Sequence, residues 1–227
     1  METKYNYLLS VGHGGVKDGV YQTADKWWKK SYFKNKVLLP NRLGTETLEQ
    51  EADEKFYEGE WNRKVRDAAS KKLMDKKIFH TYINDSENDV MPWIRARQAN
   101  VIAASTTKKC ILFDIHANAA VPQAHGAEVY TSKGWTSADP IGQIACEETM
   151  KEFGSDVFFR KDLSDGDYDK EADFAILTNT AMPAVLFEFG FYTNYKEMKF
   201  LNSAEGIDKC ANIIVNTILR CESEINI

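Results

Sequence analysis

The sequence predicts an α/β fold: a single domain with a mostly parallel twisted sheet flanked by helices. Three observations predict it. Short apolar runs alternate along the chain with longer stretches whose apolar residues recur at helical spacing. The run Cys110–Ile115 is apolar apart from Asp114, the pattern of a central strand buried on both faces. The 227 residues are 43% hydrophobic and 28% charged, enough apolar mass for one core that needs no covalent staples.

Taken in order, Tyr5–Val11 reads as the first strand, ending in the flexible turn Gly12-His13-Gly14-Gly15. Residues 17–56 are long, charged and aromatic, with Trp27-Trp28-Lys29-Lys30 and Tyr32-Phe33. They are expected to form an insertion or lid, or a peripheral subdomain packing its own aromatics. From Glu58 to Met74, residues Trp61, Val65, Ala68, Ala69 and Leu73 share one helical face. Ile78–Ile83 is a strand closed by Asn84-Asp85-Ser86, and Pro92 suits the first turn of a helix running to about Ala104. Cys110–Ile115 and Ala127–Thr131 are strands. Ile141, Ile144, Ala145 and Phe153 mark a helix, Phe174–Leu177 and Ala184–Phe187 read as short strands, and Ile207 to Ile218 gives a closing helix. No internal repeat is visible.

Composition removes several classes of function. A formal charge of -5 leaves no basic footprint for nucleic acid. None of the four cysteines forms a C-x-x-C pair, so no thiolate metal site and no disulfide framework are expected; Cys110 and Cys210 read as buried thiols. No stretch approaches the ~20 apolar residues of a membrane span, and Met1 to Val11 lacks the pattern of a secretory leader. The expectation is a protein that is cytoplasmic as synthesised, with no membrane insertion.

The residues that carry chemistry sit at strand ends. His13 follows the first strand and His116 follows Ile111-Leu112-Phe113-Asp114-Ile115. Ligands collect outside the carboxyl ends of strands in such sheets, so two histidines far apart in sequence converge on one rim, and neutral imidazole is the commonest metal donor. A catalytic zinc site takes three protein ligands and leaves one position open. Glu58 and Glu60 both offer the third from the anion-favouring start of a helix. They face different ways at i and i+2, and spacing does not choose between them. Glu188 lies in the apolar segment Val185–Phe191, where a charge is costly unless it is functional or paired with a buried Arg or Lys. Burial would raise its pKa toward the range of a general acid/base. Asn118 is expected to orient a ligand or loop by hydrogen bonding, and His125 and Glu128, flanking Gly126, form either a substrate contact or an exposed strand-end pair.

Four strings resemble one family: Val11-Gly12-His13-Gly14-Gly15, Tyr57-Glu58-x-x-x-Asn62, Asp114-Ile115-His116-Ala117-Asn118-Ala119, and the run from Pro183 through Glu188 to Asn194. Together they are similar to the zinc-dependent N-acetylmuramoyl-L-alanine amidases of the Amidase_3 type, and Gly126–Tyr130 and Arg95–Asn100 fit that family's supporting segments. The resemblance covers nearly the whole chain outside 17–56. It implies Zn2+ held by His13, Glu58 and His116, with Glu58 chosen over Glu60 by the Glu-x-x-x-Asn spacing. It implies Glu188 as the catalytic proton acceptor and donor, and bacterial peptidoglycan as substrate, cut between N-acetylmuramic acid and L-alanine; Asn118 and His125, from their place near the same rim, are the candidate substrate contacts. The absence of a leader or wall-binding repeats makes the chain look like a phage endolysin that meets the wall after release or export. A zinc carboxypeptidase acting on stem peptides, a non-catalytic peptidoglycan-binding module and a cysteine hydrolase using Cys110 are the competing readings.

Overall fold

The computed structural model describes residues 3–29 and 55–227. Three buried strands form the centre: β1 (Asn6–Val11), β7 (Cys110–Asn118) and β10 (Ala184–Phe191). β6 (His80–Ile83) flanks β1, while β8 (Glu128–Thr131) and β9 (Lys170–Glu171) complete the other edge, so the sheet order is β6-β1-β7-β10-β8-β9. All neighbours run parallel except β10 with β8. Four smaller strands, β2 (Val16–Lys17), β3 (Val20–Tyr21), β4 (Trp27–Lys29) and β5 (Lys55–Tyr57), make two antiparallel pairs beside the sheet. The expected insertion at 17–56 is therefore paired strand at both of its described ends. Residues 30–54, which include Tyr32 and Phe33, lie outside the described residues.

The two-residue period of the strands sorts the core into layers. Tyr7, Leu9, Ile111, Phe113, Val185 and Phe187 point to one face, where α1 (Glu58–Asp75), α3 (Asp139–Phe153) and α6 (Ala204–Glu224) pack. Trp61 and Val65 of α1 and Ile214 and Ile218 of α6 close this layer, each side chain contributing roughly 1.5–3 kcal/mol on full burial. Leu8, Leu112, Ala184 and Leu186 point to the opposite face, covered by α2 (Pro92–Ala104) and the short α4 (Ala175–Thr178). A strand residue of even number near this end therefore looks toward α2. Ser10, Asp114, His116 and Glu188 are all even.

Two expectations change. Phe174–Leu177 is not a strand: Phe174 precedes α4, whose Ile176 and Leu177 bury against the α2 layer. A four-residue apolar run carries no period that separates one helical turn from a strand. β7 and β10 also run further than their apolar cores, to Asn118 and Phe191, so His116 and Glu188 sit within strands and not beyond them. A further helix, α5 (Tyr195–Leu201), follows β10, capped by the Asn194 side chain accepting from the N–H groups of Lys196 and Glu197.

Candidate metal centre and active site

The turn after β1 carries His13 at φ 61°, in the left-handed region that side-chain-bearing residues rarely occupy. Helix α1 holds it there. Asn62 Nδ2 donates to the Gly12 carbonyl (3.0 Å), and Arg63 donates to the His13 carbonyl (2.9 Å). Gly59 lets the helix come this close, because a Cβ at that position would lie 2.0 Å from the Gly14 carbonyl oxygen. This gives the Glu-x-x-x-Asn spacing a physical meaning: the Asn one turn on fixes the loop that presents His13 to the Glu.

Glu58 is the first residue of α1 and is 1% exposed. Its Oε1 lies 3.3 Å from His13 Nε2 and 3.0 Å from His116 Nδ1, and the two imidazoles meet edge to face with centroids 5.2 Å apart. One donor atom from each of the three residues lies within 4.8 Å of the others. Glu60 turns outward and pairs with Lys64 one turn along the helix (2.9 Å). Geometry thus brings Glu58, and not Glu60, to the histidines.

A further layer of contacts orients His116. Its Nε2 faces Asp114 Oδ2 at 3.1 Å, and the fully buried Asp114 is in turn paired with Arg95, which also donates to Ser10 Oγ (2.7 Å). With Nε2 committed to Asp114, Nδ1 is the nitrogen turned to Glu58 and could donate to a metal, as in carboxylate–histidine pairs around such ions. Burial alone would lower the His116 pKa, but the Asp114 and Glu58 carboxylates outweigh it and raise it strongly. Burial would likewise raise Glu58, and the two histidines overcome it and hold that carboxyl low. The pocket is thus short of positive charge, which an imidazolium proton or a metal cation can supply. Glu58 Oε2 is buried with no hydrogen-bond partner among the described residues, leaving an oxygen free for such a cation.

Glu188 stands beside His116, its register partner on the neighbouring strand. Its Oε2 is buried and has no hydrogen-bond partner among the described residues. Burial pushes its carboxyl up to about 8, against the pull of His116 and with the help of Glu58. No buried Arg or Lys pairs with Glu188 among the described residues: Arg95 is committed to Asp114, and the half-buried Lys26, which lines the same cavity and pulls the carboxyl down, forms no ion pair with it. His13, Lys26, Glu58, Asp114, His116 and Glu188 line one cavity of ≈ 230 Å³.

The remaining expected residues divide. Asn118 lines the cavity and donates to Glu128 Oε2 (2.9 Å). Glu128 is not exposed: it is 3% accessible and paired with Arg160 (2.6 Å) and Lys170 (2.7 Å), a correction to the strand-end reading. His125 is exposed, faces Phe158, and does not line the cavity. All four cysteines are free and buried, and Cys110 begins β7 at the end away from His116. Asp114 and Arg95 are site residues to which the sequence assigns no role of their own. A lone Asp in an apolar strand marks the first, and the second shows only in the likeness of Arg95–Asn100 to the family.

A family model described as N-acetylmuramoyl-L-alanine amidase matches residues 8–220. A relative in Bacillus subtilis (strain 168), the uncharacterized protein YqiI, is 32% identical over 124 residues, covering 53% of this chain and 55% of that protein, so the match spans about half the relative's length. The structure is similar to the N-acetylmuramoyl-L-alanine amidase of Clostridium difficile 630, with a TM-score of 0.69 at 21% identity, covering 98% of this chain and 100% of the other. It is also similar to the catalytic domain of the CD27L endolysin targeting Clostridia difficile, with a TM-score of 0.60 at 17% identity, covering 98% and 99%. These likenesses bear on the fold, which they share across nearly the whole chain. With a family model spanning almost all of its length, the chain belongs to the N-acetylmuramoyl-L-alanine amidase family.

Proposed function

We propose that the protein hydrolyses the amide between N-acetylmuramic acid and L-alanine in bacterial peptidoglycan, using zinc at His13, Glu58 and His116. The observation that carries the proposal is the convergence of those three donors beside an unpaired Glu188 in one cavity. Two imidazoles and one carboxylate suit zinc, which when bound acts as a Lewis acid on water and on the amide carbonyl.

The chain's own residues supply the rest. Glu188 Oε2, free of other partners, takes a proton from the attacking water and returns it to the departing nitrogen. The carbonyl carbon gains the water oxygen, the C–N bond breaks, and the products are a lactyl carboxylate and a stem peptide with a free L-alanine amine. Burial holds the Glu188 carboxyl above its ordinary value in the metal-free chain, which strengthens its carboxylate as a proton acceptor. Asp114, fixed by Arg95 and Ser10, keeps the Nε2 proton of His116 in place so that Nδ1 stays turned inward. Asn118 borders the cavity where the substrate chain would pass. We extend the proposal to a lytic setting like that named for the CD27L endolysin, with the enzyme made inside the cell and reaching the wall after release.

Mass spectrometry of peptidoglycan digested by the purified protein tests this. Stem peptides with free L-alanine amines should accumulate, stop on chelation and resume on adding zinc. Release of single amino acids would assign a carboxypeptidase instead, and intact peptidoglycan under all conditions would refute hydrolysis.

A further inference from the structure

Away from the cavity, a second set of acidic side chains converges. Asp139 opens α3 and Asp169 immediately precedes β9, and each is 2% exposed; Asp167, two residues before Asp169, is half-buried. One carboxylate oxygen from each lies within 4.8 Å of the others. The N-terminus of α3 accounts for Asp139 alone, as an anion in the first turn whose Oδ2 accepts from Thr136 Oγ1 (3.0 Å). It accounts for neither of the others.

Two carboxylate oxygens of this group are buried and unfilled among the described residues. Asp169 Oδ2 accepts from Thr131 Oγ1 (2.6 Å), but Asp169 Oδ1 and Asp167 Oδ1 are buried without a hydrogen-bond donor among the described residues. Gly142 makes room for the first of them: a Cβ there would lie 2.8 Å from Asp169 Oδ1. No Lys or Arg forms an ion pair with any of the three among the described residues. Lys170, next in sequence, is turned to Glu128, and Lys161 sits over the Tyr168 ring (3.9 Å). The exposed Asp165 adds further negative charge beside Asp167. Three converging carboxylates without a cation carry a desolvation cost that a bound ion removes. The competing arrangement is a proton shared by Asp167 and Asp169 with Asp139 held at the helix N-terminus, and it predicts that no calcium binds.

We propose that Asp139, Asp167 and Asp169 form a binding site for a hard divalent cation of the calcium type, distinct from the catalytic metal. All-oxygen donors select such ions over zinc. Oxygens on opposite sides of Ca2+, each at about 2.3–2.6 Å, sit up to ~5 Å apart, and one oxygen from each of the three carboxylates lies within that reach of the others. Such an ion would fasten the loop before β9 to α3. Through Lys170 it would steady Glu128, whose Oε2 accepts from Asn118 in the catalytic cavity.

The test is equilibrium dialysis of the zinc-loaded chain against CaCl2 or MgCl2, with thermal unfolding in parallel. The expected result is about one Ca2+ bound per chain and a Tm raised by about 3–6 °C at tenfold excess over Kd. Asp169→Asn and Asp167→Asn should lose the bound calcium and the shift. Their Tm without calcium should equal or exceed that of the wild-type protein, because a repelling charge is gone. Absence of bound calcium in the wild-type protein overturns the proposal whatever the variants do. Calcium retained by the double variant, or an equal response to magnesium, overturns it as well.

Discussion

Glu188 is held in a state that suits proton transfer and costs stability. In the metal-free chain burial, which penalises the charged form, pushes this carboxyl from its ordinary value of 4.5 up to about 8. The favourable burial of the acid form is therefore fully present below about pH 4.5 and is lost as pH rises through 8. Glu188→Gln should lower kcat by roughly 10²–10⁴-fold while leaving zinc content intact, measured on peptidoglycan. In metal-free protein the same variant should unfold at a higher temperature than wild type above pH 8, and a Tm difference that does not grow with pH would contradict the assigned burial. Glu188 and His116 were legible in the sequence because a titrating group in an apolar strand has to be explained. Asp114 was equally visible yet passed for an interruption, since its purpose lies in Arg95 and His116, which only the fold brings to it. Glu58 and Glu60 could not be separated by spacing; the inward turn of one and the Lys64 pair of the other separate them.

At the level of elements, the site depends on how closely α1 approaches the turn after β1. Gly59→Ala should push the helix from the Gly14 carbonyl, at a cost of about 1–3 kcal/mol by denaturant unfolding, and should displace His13 with a loss of activity larger than the loss of folded protein explains. Asp114→Asn keeps the shape of β7 but weakens the hold on His116. Zinc affinity should fall by roughly 10–100-fold in competition with a chelator, with little change in secondary structure by circular dichroism. Long periodic elements were legible, and the predicted start and end of α2 match Pro92–Ala104. Short ones were not. Phe174–Leu177 has the composition of a strand and the partners of a helical turn, and α5 is too brief to show a period.

Across the whole molecule, one sheet carries two helical layers, and strand alternation assigns its residues to either the core or the site. Ile214 of α6 is fully buried in the larger layer. Ile214→Ala should destabilise the fold by about 2–5 kcal/mol in urea unfolding without changing kcat of the folded fraction, which separates the roles of the two layers. Alternation of strand and helix made the architecture readable, as did the apolar run of β7. The antiparallel turn of β8 was not readable, because strand direction leaves no mark on composition. Nor were the strand pairs at the ends of the 17–56 segment, where charge and aromatic content overrode any local period.

The central claim is that His13, Glu58 and His116 hold one zinc, and metal analysis after exhaustive dialysis tests it most directly. The wild-type chain and Glu60→Ala should each retain about one zinc, and Glu58→Ala should lose most of it under the same dialysis. Full zinc in Glu58→Ala, or its loss from Glu60→Ala, would contradict the assignment.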